Sequence, residues 1–390
     1  MFSYVGYVFK FDYLKYILGW IIYFVTFCFL YSNVDSMLNI FLSLYYHLSV
    51  VPCLILYIFG NTKLWMIMFQ IAFLVLIRVL TTVIDRRFGS SIEQSHEPFS
   101  FTNSRVVWVL IFAFFVYQLI EFGLPNLSDL NFEDIYEVRE NYESSLIDTL
   151  LQNIMCKIVL PLIISDAVER KKWAPFFVAL IIQFYIYGIT GFKTYLLIPA
   201  LIIATKLIKM KSFKKLIMVG MLGGFAASLI FFYLSNSNMF AAVVFNRLVF
   251  LPAQIKEAYF DFFSKNEFVY FSQSSIASIL GIESNYATDI VYIIGEKYFN
   301  SPDMWTNTGF LADGFANLGV IGGFIVSVIL SIELALLNRG IKNPANNFAT
   351  VVFLLFFIAL NDGAIISVSV SGGFLPAVLL IFLTKAGERK

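Results

Sequence analysis

Three cations hold conspicuous places in this 390-residue chain. Arg139 stands alone among carboxylates, Lys193 sits in a tight turn between two apolar stretches, and Arg247 follows shortly after another apolar stretch. An arginine fork matches phosphate oxygens two at a time and a lysine supplies a point charge. Cations beside aromatic and glycine-rich loops at the outer rim of a membrane therefore suit an anionic, lipid-linked substrate. Each has an ordinary alternative role: Arg139 as a surface ion-pair partner, Lys193 as a side chain snorkelling to the interface, Arg247 as an anchor to lipid head groups. Asp313 lies in Leu311-Ala312-Asp313-Gly314, where the chain re-enters an apolar stretch. A partly desolvated carboxylate there could hydrogen-bond a hydroxyl and take its proton; the competing role is the N-cap of the helix that follows. Asp261, Glu257 and Glu267 are weaker candidates, because solvated faces carry such charges routinely.

Other chemistries find little support. Only two histidines exist, His47 and His96, and no P-loop, GxGxxG, CxxC or Asp-x-Asp motif is present, so no metal site and no cofactor is expected. Cys28, Cys53 and Cys156 all fall in apolar stretches and read as small buried side chains. A net charge of +1 excludes a general nucleic-acid surface. Among charges inside apolar stretches, Arg78 should snorkel, and Lys157 could pair with Glu121 or line a cavity.

The elements that must position these residues are membrane helices. The chain is 59% hydrophobic and 14% charged, with a mean hydropathy of +0.80. A soluble domain carries about a quarter charged residues. The pattern predicts an all-α polytopic membrane protein with spans near 13–31, 37–59, 64–84, 106–122, 149–168, 173–190, 195–208, 216–234, 312–337, 348–360 and 368–384. No cleavable signal peptide is evident. Lysine and arginine collect after the third, fifth, seventh and ninth spans and in the tail, which puts those segments in the cytoplasm. The acidic segment 123–148, the turn at Lys193 and the long segment 235–311 then face outward. Residues 1–390 read as one integral membrane domain with an elaborated outer face. In the long loop, Pro252 is suited to open a helix. Ile255, Ala258, Tyr259, Phe262 and Phe263 share one face, with Gln254, Lys256, Glu257 and Asp261 opposite. A short helix around 274–280 is weakly signalled.

Gly191-Phe192-Lys193-Thr194, Asn246-Arg247-Leu248 with Pro252, Phe262-Phe263, Asn307 through Gly322, and Glu137-Val138-Arg139 in an acidic outer loop resemble the O-antigen repeat-unit polymerases of the Wzy type. The resemblance runs from the fourth span to the ninth. It implies a GT-C-like protein of about eleven spans in a bacterial inner membrane, with its active site facing the periplasm. It implies a metal-independent glycosyltransferase that polymerises undecaprenyl-diphosphate-linked repeat units into a surface polysaccharide, O-antigen or capsule. The partners it implies are donor and acceptor lipid-linked glycans and the bilayer, with room for a chain-length regulator. Carried over by position, Arg139, Lys193 and Arg247 would neutralise the leaving diphosphate, Asn246 and Asn307 would bind substrate, and Asp313 would help activate the acceptor hydroxyl. The related ligases use an outer-face histidine, which this chain lacks in its outer loops. The alternative from another class is a flippase for lipid-linked oligosaccharides. That reading expects a two-fold internal repeat, with charges deep in both halves.

Overall fold

The computed structural model describes residues 9–31, 36–60, 62–88, 101–125, 138, 142, 144–207, 213–237, 242–341 and 349–386. Among these the chain is helical, with no strand. In chain order the helices are α1 (Tyr13–Leu30), α2 (Met37–Phe59), α3 (Leu64–Phe88), α4 (Arg105–Phe122), α5 (Ile147–Glu169), α6 (Trp173–Thr190), α7 (Thr194–Leu207), α8 (Phe213–Ser235), α9 (Leu251–Phe263), α10 (Ser275–Leu280), α11 (Ile290–Phe299), α12 (Phe310–Gly340), α13 (Ala349–Ala359) and α14 (Phe374–Ala386). A helix thus occupies each apolar segment read from the sequence. Seven of the described helices, α1 to α6 and α12, are long and apolar enough to cross a membrane. Large side chains such as Phe24 and Val25 of α1, Phe112 and Ile120 of α4, and Ile321 and Phe324 of α12 lie exposed. Faces this apolar are at home in lipid, as a multi-pass membrane protein requires.

Prolines shape three of these helical runs in one way. Wide π-turns occupy Tyr46–Val50 in α2, Met155–Val159 in α5 and Ala242–Phe250 before α9. Each is followed two residues later by a proline: Pro52, Pro161 and Pro252. A proline inside a helix withholds an N–H, and its ring collides with the carbonyl of the preceding turn. Widening that turn by a residue relieves the collision. At Pro161 the carbonyl five residues back, Cys156 O, loses its donor, and the fully buried Gln183 of α6 supplies one at 2.9 Å. Pro252 stands in the first turn of α9, as expected, although the π-turn before it runs straight into that helix and Phe250 already has helical backbone angles.

The chain forms two compact units. The first comprises Met1–Ser90, Ser212–Lys342 and Phe357–Val368. Within it α3 and α12 pack along their lengths, and α9 packs against α12. An aromatic cluster joins the three: Phe260 meets Phe315 at 5.1 Å and Phe69 at 5.2 Å, with Trp65 at 5.7 Å from both Phe260 and Phe315. Arg78 donates to Leu30 O at 2.7 Å and lies over the Phe29 ring, so it ties down the last turn of α1.

The second unit comprises Ser91–Lys211, Asn343–Phe356 and Ser369–Lys390. Ser145 and Asp148 form a reciprocal capping box at the start of α5, and Tyr117 donates to Asp148 at 2.6 Å. Asp148, expected in the solvated acidic loop, is accordingly buried. Gly191 ends α6 in the left-handed conformation, which makes the turn at Lys193 tight. Cys53 and Cys156 are buried as expected, whereas Cys28 is exposed.

Candidate functional site

α12 is broken near its start. Leu318 (φ −147°, ψ 24°) and Gly319 (φ 59°, ψ −135°) leave the helical path. The break frees the carbonyls of the preceding turn for other donors. Val269 N donates to Ala316 O at 2.9 Å and Tyr270 N to Asn317 O at 3.1 Å. The Asn317 side chain accepts from Phe271 N at 2.7 Å and donates to Asp313 O at 2.8 Å. A strap of loop is thereby pinned across the break. Tyr270 and Phe271 both have positive φ, 56° and 58°. Such angles cost on the order of 1 kcal/mol or more for each non-glycine residue. The three hydrogen bonds to Ala316 and Asn317 hold the strap in this form and place Phe271 in the wall of a cavity.

That cavity, about 250 Å³, lies wholly within the first unit. Its aromatic wall is Tyr259, Phe271 and Trp305, and its polar wall includes Asn307, Thr308, Asp313 and Asn317. Gly363 to Ser367, the turn after α13, close another side. Trp305 is exposed, donates to Asn307 Oδ1 at 2.5 Å, and stands edge-on to Tyr292 at 5.3 Å. Tyr259 is held by donating to Thr306 O at 3.0 Å. The Thr308 hydroxyl is buried and has no hydrogen-bond partner among the described residues. Asp313 is not the N-cap of α12; Gly309 is, and Asp313 sits one turn inside, its N–H on Gly309 O at 3.0 Å. Among the described residues no cation pairs with Asp313. Asp289, at the start of α11, adds a second carboxylate, and no described lining residue is a lysine, arginine or histidine. Among the described residues no three metal-ligating side chains converge.

No family profile, curated protein or solved structure matches the chain.

Of the residues singled out from the sequence, Asn307 and Asp313 share this cavity. Arg247 is exposed and Asn246 half-buried on the π-turn before α9, and neither lines it. Lys193 belongs to the second unit, where its carbonyl accepts the N–H groups of Leu196 and Leu197 at 3.1 and 3.2 Å as α7 begins. Arg139 and most of the acidic loop lie outside the described residues, as does His96. Lys157 makes no ion pair with Glu121 among the described residues.

Besides Asp148, a second charged residue expected in solvent lies in the core. Lys256 does not lie on a solvated face of α9; it is 1% exposed. Its ammonium donates to Asn361 Oδ1 at 2.7 Å and stands 5.7 Å from the centre of the Tyr45 ring. Burial pushes its pKa down to about 8, with Cys53 and Asp362 opposing the shift. Gly309 passes so close that a methyl group there would lie 2.8 Å from Lys256 Cε and 2.4 Å from Asn361 O. The warning sign was present in the sequence. The residues one turn before and after Lys256, namely Pro252, Ala253, Tyr259 and Phe260, are all apolar, so its side of the helix could only face a core. Glu257 and Asp261 do reach polar surroundings. Thr62 donates to Glu257 at 2.7 Å, while Lys63 and Lys265 each meet Asp261 at 2.7 Å. Burial raises Glu257 above the usual carboxylate range. At Asp261 burial works the same way, but hydrogen bonds from Lys265, Lys63 and Tyr298 outweigh it and hold the carboxyl down at about 2.

Proposed function

We propose that this chain is a membrane glycosyltransferase that polymerises undecaprenyl-diphosphate-linked repeat units at the periplasmic face of a bacterial inner membrane. It would be a GT-C-like protein of about eleven spans. The observation that carries the reading is the cavity at the break in α12. Its wall carries two carboxylates, three carboxamides, a buried hydroxyl and an exposed tryptophan, with no cation lining it and no partner for the hydroxyl among the described residues. Those groups suit a polyhydroxylated ring, whose edges hydrogen-bond and whose faces are apolar. In this scheme the acceptor sugar occupies the cavity, and its hydroxyl gives a proton to Asp313 as its oxygen bonds the donor's anomeric carbon. The bond to the diphosphate breaks, and the lipid diphosphate leaves with its negative charge met by Arg247. Asn307 and Asn246 bind substrate.

Deletion of the gene tests the proposal through the surface glycan. The expected phenotype is single repeat units on the acceptor, restored to polymer by the wild-type gene but not by Asp313→Asn or Arg247→Ala protein that still inserts. Undiminished polymer in the deletion strain would end it. One observation favours the flippase reading instead: Lys256 is a cation buried in the core of the first unit, the kind of group that lines transport paths. Deletion of a flippase leaves no glycan, not single units, so the same experiment separates the two.

A further inference from the structure

We propose that the cavity at the α12 break takes carbohydrate without negative charge and rejects anionic sugars, so that the repeat unit's accepting sugar is neutral or amine-bearing. This rests on reading the cavity as a carbohydrate seat. Two features of its wall argue for selection by charge. Asp313 and Asp289 both face it, and no described lysine, arginine or histidine does. A uronate or phosphate would enter a partly desolvated space lined by two carboxyl groups and, among the described residues, by no cation. Like charges a few ångströms apart in such a space cost several-fold to many-fold in affinity. The diphosphate of the carrier lipid meets the same obstacle, so the cavity fits the sugar end of the acceptor and not the leaving group. The second feature identifies what the cavity wants in place of charge. Thr308 lines the wall and is 94% buried, and its hydroxyl has no partner among the described residues. A buried hydroxyl left unpaired is unfavourable, and a ligand that supplies the missing hydrogen bond recovers that loss. Asn307 and Asn317 add further donors and acceptors, and Trp305 offers an indole already fixed by its hydrogen bond to Asn307.

The test uses the full chain in detergent and reads tryptophan emission while methyl glucoside, glucosamine or glucuronate is added. Assignment to Trp305 comes from loss of the response in Trp305→Phe. Methyl glucoside and glucosamine should both shift the emission, with glucuronate weaker by about tenfold or more. In the doubly neutralised protein, Asp289→Asn with Asp313→Asn, glucuronate should approach the neutral sugar to within about threefold, because the repulsion is gone. Thr308→Val, nearly the same size, should weaken the neutral sugars by about tenfold, because the unmet hydroxyl is what they satisfy. Glucuronate binding as tightly as methyl glucoside in the wild type would overturn the proposal, as would no response from Trp305 to any of the three. The outcomes are separable from those of the polymerase reading. A charge-selective seat combined with normal polymer after gene deletion would sink only the polymerase, and single repeat units combined with an indifferent Trp305 would sink only the seat.

Discussion

On the outward side of α9, Asp261 sits among Lys63, Lys265 and Tyr298, all within hydrogen-bonding distance. Half a turn or so around the same helix, Lys256 points into the core with Asn361 as its hydrogen-bond partner and the Tyr45 ring nearby. The two charges differ in solvent. Asp261 keeps two lysines whose own side chains are half or more exposed, so water shares the interaction. Lys256 has surrendered its hydration, and a neutral amide replaces only part of it. What Lys256 gains is position. Its stem and head touch the start of α12 at Gly309 and the turn after α13 at Asn361, and that turn runs directly into the cavity wall at Gly363. A surface cluster of this kind steadies one helix, whereas the buried lysine ties three segments that meet beside the cavity.

The tie is broken most severely by Gly309→Ala. Its new methyl group would need to displace a backbone carbonyl on one side and a fixed lysine stem on the other. We expect a loss of about 3 kcal/mol, read as a fall in thermal midpoint in detergent. An unchanged midpoint would mean that the helix start and the turn move apart freely. Next comes Lys256→Ala, which opens a void and strands the Asn361 side-chain oxygen; about 2–3 kcal/mol should be lost. Lys256→Met fills the same space without charge and should recover most of that loss or exceed the wild type. A methionine variant as unstable as the alanine one would show that the ammonium itself stabilises the core.

The titration of Lys256 sharpens the contrast. Its pKa is about 8 when folded against an ordinary 10.5, so the unfolded chain holds the extra proton between those values. Stability attributable to Lys256 is therefore constant below pH 8 and rises as pH climbs toward 10.5, by roughly 3 kcal/mol in all. Compared across that range, the wild-type thermal midpoint should rise relative to that of Lys256→Met. Parallel curves would show that Lys256 titrates as if in water.

How much of this could be read beforehand follows the physics of each part. Helical segments were legible because hydrophobic length is a one-dimensional property; α6 begins and ends at the predicted residues, Trp173 and Thr190. Asn307 and Asp313 were legible as polar residues where an apolar stretch resumes, and they do share a cavity. The break at Leu318–Gly319 was not, because a glycine inside an apolar helix has the same spelling whether or not the helix bends there. The strap was hidden too: nothing in Tyr270-Phe271 announces left-handed backbone, which depends on acceptors that only the break in α12 frees. Lys256 was misread because charge was allowed to outvote its neighbours one turn away, all of them apolar.

The smallest effect belongs to Asp261, and it separates the two sides of α9 by salt as well as by pH. Asp261 is held at about 2 in the folded protein against an ordinary 3.8. Its contribution is therefore fully present above pH 3.8 and is lost as pH falls through the folded value. Because Lys63 and Lys265 are 50% and 61% exposed, the contribution should be no more than about 1 kcal/mol at neutral pH. Asp261→Asn should lower the midpoint by a degree or few at low ionic strength, and raising the salt should erase most of the difference, since exposed charges are screened. The Lys256→Met difference should hardly respond to salt, because no counter-ion reaches a side chain in a closed core. If salt erased both differences alike, Lys256 would be as hydrated as Asp261, and the three-way tie beside the cavity would not be a dry one.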